Sequence, residues 1–342
     1  GNPTIAALED ALITLEAGIA ACAYGSGMAA LHAALFACEL TPGAVVLASQ
    51  DLYGASFDLL HKVFGSAGVK TVTADFNDLD AVRAKTLASK PTALLAETIS
   101  NPLLKVCDLE AIAAIGKEAG ARLVVDNTFA SPFLCQPLSL GADFVVHSAT
   151  KYLGGHADAM GGVVVAKQEH DRLALVGIMK LAGGVLSVWE AHQILRGIKT
   201  LGLRLERQCD NARQLAEHFK DDPRLARVHY PSLSPHSSSG LLGRVLRPPH
   251  AGALLSIELK DDSKDAAFRF MNALDLCVRL TSLGDVFTGV SHSASSSHRE
   301  VSPAQRKRLG IGDGLVRISV GIEDVADIRD DIDQALTKSL RP

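Results

Sequence analysis

The sequence predicts an α/β protein built on a mostly parallel sheet, followed after about residue 200 by a smaller α/β domain. Short apolar or β-branched runs alternate with longer amphipathic segments, as in successive βα units. Polar residues recur just past the ends of those runs, where open α/β sheets bind ligands. At 342 residues the chain also exceeds one ordinary domain.

In chain order, the uncharged stretch 17–38 is long enough to catch a transmembrane scan, but the Gly25-Ser26-Gly27 break and His32 favour a strand, a tight loop and a buried helix. Strands are expected at 45–49, 69–73, 92–97, 122–126, 144–147 and 162–166. Between them, 109–118 has helical spacing, with Leu109, Ile112, Ala113 and Ile115 on the apolar side. Past residue 196 a charged helix is expected over 199–219, ended by Asp221-Asp222-Pro223. A Ser/Pro/Gly-rich connector at 231–243 follows, then strands at 253–258 and 316–320 and helices at 264–275 and 324–340. The serine-rich run 291–297 is expected to be a loop. Domains are thus expected at 1–200 and 201–342.

Composition narrows the function classes. Apolar residues are 47% and charged residues 21%, so a packed core is expected rather than disorder. The net charge is −4 without a long run of one sign, which argues against nucleic acid or an acidic lipid surface as partner. Cys22, Cys38, Cys107, Cys135, Cys209 and Cys277 form no CxxC pair and are expected to be core thiols, with no metal site, in a reducing cytoplasm. The first residues lack the basic start and apolar core of a signal peptide.

Five polar clusters follow the expected strands: Gly25-Ser26-Gly27-Met28, Asp51-Leu52-Tyr53-Gly54, Glu97 to Asn101, Asp126-Asn127-Thr128, and Ser148-Ala149-Thr150-Lys151-Tyr152. The first, extended to Ala30, also matches the GxGxxA pattern of nicotinamide dinucleotide sites, with Asp51 near the expected ribose-binding acid. That pattern lacks its third glycine here, and an NAD-dependent oxidoreductase would leave Asp126, Ser148, Thr150 and Lys151 without roles. Taken together, the five clusters match the needs of pyridoxal 5′-phosphate (PLP). An aspartate can pair with a protonated pyridine nitrogen, a lysine can bond an aldehyde, and two hydroxyls with a helix N-terminus can hold a phosphate.

The string from His147 to His156, with Asp126-Asn127-Thr128 upstream and Ser282-Leu283-Gly284 downstream, resembles the Cys/Met-metabolism (trans-sulfuration) family of PLP enzymes. The resemblance runs from Asn2-Pro3-Thr4 to the C-terminal helix. It implies PLP fold type I, the aspartate aminotransferase-like fold, with Lys151 as the Schiff-base lysine and Asp126 on the ring nitrogen. It further implies that Gly27, Met28, Ser148 and Thr150 hold the phosphate and that Thr128 belongs to the cofactor site. Tyr53 would stack on the ring and act as an acid, Asn101 would contact the ring's 3′-oxygen side and the substrate, Arg317 would clamp the substrate carboxylate, and Ser282 would steady both Lys151 and that carboxylate. Blander roles stay open for Tyr53 as a core side chain, Asp126 as a helix cap, Ser282 as a loop serine and Glu97 as a structural acid. His156 and Asp158 match the family string, where they would either order the loop or take part in the chemistry.

The implied activity is carbon–sulfur bond cleavage by γ-elimination on cystathionine, methionine or a related amino acid. γ-Replacement, as in cystathionine γ-synthase or O-acetylhomoserine sulfhydrylase, is the alternative. A homo-oligomer with dimer-built active sites, commonly a tetramer, is implied as well. The family's Tyr-x-Arg pair would precede Asn2 and lies outside this sequence, so weaker cofactor and partner binding is expected of the chain as it stands. Ala55 stands where methionine γ-lyases carry cysteine, Met179-Lys180 departs from their Lys-Asp pair, and Ser293 to His298 departs from the usual Pro-Ala-Ser-Met-Thr-His.

Overall fold

The computed structural model describes residues 2–234, 239–299 and 301–339. Part of the expected connector, 235–238, and the end of the last helix at Leu340 lie outside the described residues. The chain forms two compact units, one of Gly1–Ile99 with Val106–Leu201 and one of Ser100–Lys105 with Gly202–Pro342.

The first unit carries seven strands: β1 (Ala20–Tyr24), β2 (Val45–Ser49), β3 (Lys70–Ala74), β4 (Ala93–Glu97), β5 (Arg122–Asp126), β6 (Phe144–Ser148) and β7 (Gly162–Ala166). Their order is β1-β7-β6-β5-β4-β2-β3. Every neighbour from β6 to β3 pairs parallel, whereas β7 runs antiparallel to both β6 and β1. Its helices are α1 (Pro3–Leu15), α2 (Gly27–Phe36), α3 (Gly54–Asp58), α4 (Leu79–Ser89), α5 (Leu109–Glu118), α6 (Ser131–Leu134), α7 (Asp171–Ala182) and α8 (Val188–Ile198). The stretch free of charged side chains is therefore β1, a turn and α2. Among the described residues no helix is long and apolar enough to cross a membrane.

Helices cover both faces of this sheet, which is why β1, β4 and β7 are buried at every position. On one face Val46, Ala48, Leu95, Val124, Phe144, Val146 and Val164 pack with Ala30, Leu31 and Ala34 of α2 and with Leu175 of α7. Their spacing of two along each strand follows the pleat. Polar caps start the helices: the Asp108 side chain accepts the Ala111 N–H at the head of α5, whose buried Leu109, Ile112, Ile115 and Gly116 form one stripe.

In the second unit, β8 (Leu225–His229), β9 (Leu254–Leu259), β10 (Val278–Arg279), β11 (Gly289–His292) and β12 (Leu315–Ser319) form a sheet of order β10-β11-β12-β9-β8. It is antiparallel except at β10–β11. The helices are α9 (Leu201–Phe219), which enters this unit at Gly202, α10 (Ser239–Val245), α11 (Lys264–Asn272), α12 (Pro303–Leu309) and α13 (Val325–Ser339). The serine-rich run is not simply a loop: Ser291 and His292 belong to β11, and Ser293–Ser295 form a 3₁₀ turn. Ser291 and His292 are buried where β11 pairs with β12, and Ser293 and Ala294 are buried in the turn that follows.

Candidate active site

Parallel strands place their carboxyl ends along one edge of the sheet. Register aligns Tyr24 and Ser148 with Gly162 across β7, and Glu97 with Asp126 across β4 and β5. At that edge the backbone of β1 turns into α2. The Ser26 hydroxyl accepts the Ala29 N–H at 3.1 Å, which leaves the Gly27 and Met28 N–H groups at the helix head outside the helix's own bonding. A Cβ added to Gly27 would lie 2.8 Å from the Ser148 Cβ, and one on Gly162 would lie 2.2 Å from the Ser26 carbonyl oxygen. Only glycine lets the head of α2 press this closely on the ends of β6 and β7.

Asp126, the last residue of β5, is tied to Ser148 through one side chain. Its Oδ1 accepts the Thr128 N–H at 2.9 Å, and the Thr128 hydroxyl accepts the Ser148 N–H at 2.8 Å. Asp126 is thus bound into the turn after β5 and caps no helix. Burial pushes its carboxyl above the usual range, against the pull of the Thr128 hydrogen bonds and of His147. Immediately after β6, Thr150 Oγ1 accepts the Gly161 N–H at 3.1 Å, and the Lys151 N–H donates to the Ser148 carbonyl at 3.1 Å. These bonds close the turn that carries Ser148, Thr150 and Lys151, all partly accessible. Beside them, Glu97 accepts the Tyr53 N–H at 2.6 Å and so fixes Tyr53, whose side chain is 42% exposed and no core residue. His156 and Asp158 are exposed: the His156 ring is bonded to the Gly154 carbonyl, and Asp158 accepts from Gln193.

On the other face of the same strands lies a buried polar cluster that the sequence reading missed. Glu16 Oε1 is 2.6 Å from His147 Nε2 and accepts from Asn127 Nδ2 at 3.0 Å. Asn127 also donates to the Cys135 carbonyl and accepts from the Thr98 hydroxyl. The available signal was one acid, Glu16, between apolar Leu15 and Ala17-Gly18.

In the second unit, Arg317 stands mid-strand in β12, buried, with register partners Ser256 and Ser291. Its Nη1 donates to Asn101 Oδ1 at 3.1 Å, and its Nη2 donates to the carbonyls of Thr281 and Ser282 at 3.3 and 3.2 Å. His298 senses Arg317; burial first, then Arg317 and Arg306, push its pKa down to about 4.

The family model described as Cys/Met metabolism PLP-dependent enzyme matches residues 1–337. The chain belongs to this family. Over 339 residues it is 42% identical to an L-methionine γ-lyase of Pseudomonas putida, covering 99% of this chain and 84% of that protein. It is 40% identical to a cystathionine β-lyase of Coxiella burnetii, covering 98% and 86%. The solved cystathionine γ-synthase of Xanthomonas oryzae pv. oryzae superposes with a TM-score of 0.94 at 36% identity, covering 99% and 86%. The fold is therefore that of the PLP-dependent trans-sulfuration enzymes, and the dinucleotide alternative is displaced. The residues present fit PLP. Asp126 is a carboxyl whose burial disfavours its charge until a cationic N–H pairs with it, and the head of α2 against Ser148 is a cradle that a Cβ would fill. Among the described residues no cluster of His, Cys, Asp or Glu could hold a metal.

Proposed function

We propose that this enzyme is a carbon–sulfur lyase that carries out γ-elimination on cystathionine, methionine or a related amino acid, consuming water and releasing a thiol, a 2-oxo acid and ammonia. The observation that carries the choice is the 42% identity to L-methionine γ-lyase across 99% of the chain. Residues 1–200, less the Ser100–Lys105 segment that belongs to the second unit, act as the cofactor-binding domain and 201–342 as the smaller domain. The enzyme works in the cytoplasm as a homo-oligomer with dimer-built active sites, in the form of a tetramer, since closed symmetric assemblies are common among soluble enzymes.

When bound, PLP supplies an aldehyde for the substrate amine and a ring that takes up the electron pair left when the Cα–H bond breaks. Lys151 Nζ accepts that Cα proton. Asp126 holds a proton on the ring nitrogen, and Thr128 fixes Asp126 relative to Ser148. The Gly27 and Met28 N–H groups and the Ser148 and Thr150 hydroxyls bind the phosphate. As a second proton leaves the substrate β-carbon for a base and its electron pair expels the γ-sulfur, Tyr53, stacked on the ring, donates its phenolic proton to the departing sulfur, while Asn101 contacts the ring's 3′-oxygen side. Arg317 grips the substrate carboxylate with its planar fork, and Ser282 steadies it.

γ-Replacement is the second reading, favoured by the likeness to cystathionine γ-synthase and by Ala55 in place of the methionine γ-lyase cysteine. Adding L-cystathionine to PLP-loaded protein and identifying the 2-oxo acid decides between them. 2-Oxobutanoate is expected; pyruvate means β-elimination, and no oxo acid at all moves the enzyme to γ-replacement.

A further inference from the structure

We infer that Glu16 and His147 are positioning residues: a buried pair sharing one proton beneath the sheet, whose positive end keeps Asp126 ionised against the cofactor ring nitrogen. The inference rests on Asp126 holding that nitrogen. The pair's two members are 0% and 1% exposed and 2.6 Å apart, the short separation of a charge-assisted hydrogen bond. Asn127 binds the same Glu16 oxygen, so the other, Oε2, is buried without a hydrogen-bond partner. Tying the end of α1 to β6 needs only neutral side chains, and burying a carboxylate with one oxygen unsatisfied is the expensive way to do it. An acid and an imidazole held in contact under those conditions, with one acid oxygen unsatisfied, point to an electrostatic use.

Its location supplies that use. Asp126 and Val146 are register partners on one face of the sheet. Alternation puts His147 on the other face, where Asn127 also reaches Glu16. Of the groups acting on the Asp126 carboxyl, His147 works in the direction that favours the ionised form, in opposition to burial. The groups around the pair are Asp126 and Asn127 from β5 and the turn after it, and Cys135 beyond α6, whose thiol is pushed up by burial and by Glu16. None of these supplies a second positive charge.

The test uses holoenzyme loaded with PLP labelled with nitrogen-15 in its ring. Glu16→Gln removes the counter-charge that keeps the proton on His147. The ring-nitrogen signal is expected to move toward the unprotonated form, and the cofactor Kd to rise about tenfold, the equivalent of one pKa unit. Glu16→Asp, which keeps the charge but withdraws it, should shift both in the same direction by less. A lowered melting temperature with unchanged ring signal and unchanged Kd would mean a purely structural tie and overturn the inference. Asp126→Asn is the control for the underlying assignment: if it leaves the ring signal unmoved, the role of Asp126 itself fails. If it moves the signal and Glu16→Gln does not, only the inference fails. Should neither Glu16 variant fold, nitrogen-15 histidine in the unsubstituted enzyme reads the pair directly. A doubly protonated His147 ring in contact with Glu16 supports it, and a neutral ring overturns it.

Discussion

Arg317 shows why side-chain shape matters as much as charge in this protein. Its guanidinium is fixed by three neutral acceptors, Asn101 Oδ1 and the carbonyls of Thr281 and Ser282, on more than one edge of the fork. Lysine keeps the charge but cannot span those acceptors while presenting a flat pair of donors. Arg317→Lys should therefore raise KM for the amino-acid substrate by about tenfold, or about 1.4 kcal/mol, with a smaller effect on kcat. Unchanged steady-state kinetics would show that Arg317 does not bind the carboxylate. Asp126 and Arg317 stand out in the sequence because each ends or interrupts an apolar run, where a polar side chain needs a reason, whereas Lys151 is singled out by the resemblance of the string around it. Glu16 does not stand out, since an acid just after an amphipathic helix looks like a solvent-facing residue until the fold closes over it.

Elements meet at this site through glycines, and the structure separates those that matter from those that do not. A methyl group on Gly162 would strike the Ser26 carbonyl at 2.2 Å, backbone against backbone, where nothing can swing aside. A methyl group on Gly177, within α7, meets nothing within 4 Å. Gly162→Ala should cost about 1–3 kcal/mol by overpacking and weaken cofactor binding, whereas Gly177→Ala should be neutral or stabilise by up to about 1 kcal/mol. Thermal melts of both variants, with and without PLP, check the contrast; equal melting temperatures would contradict it. The strands at Val45–Ser49, Arg122–Asp126 and Gly162–Ala166 and the helix Leu109–Glu118 fall where the sequence places them, because their apolar runs are bounded by clear turn or cap residues. The direction of β7 had no local signal: register with β1 and β6 decides it. Nor did β10 and β11, since a two-residue strand and a run holding Gly289, Ser291 and His292 become strands only by pairing with their neighbours.

For the whole molecule, His32, His292 and His298 shape the response to mild acid. Burial lowers the pKa of His32 and His292 and takes His298 down to about 4. Unfolded, each protonates near the ordinary value of about 6.5. Below that pH the unfolded chain binds more protons than the folded one, so stability present at neutral pH is lost as pH falls from about 6.5 toward 4. Glu9 and Asp126, both raised chiefly by burial, act with the opposite sign and offset part of the loss in their own range. Unfolding midpoints in denaturant should drop between about pH 7 and pH 5, and His298→Gln should flatten the profile. A flat profile in the unsubstituted protein would contradict this balance.

Borohydride reduction of the PLP-loaded enzyme, followed by peptide mass mapping, tests most directly that the turn after β6 is where the cofactor reacts. A pyridoxyl mass on the peptide carrying Lys151, and on no other lysine, is the predicted result; a label on a different lysine, or none after full loading, would contradict it.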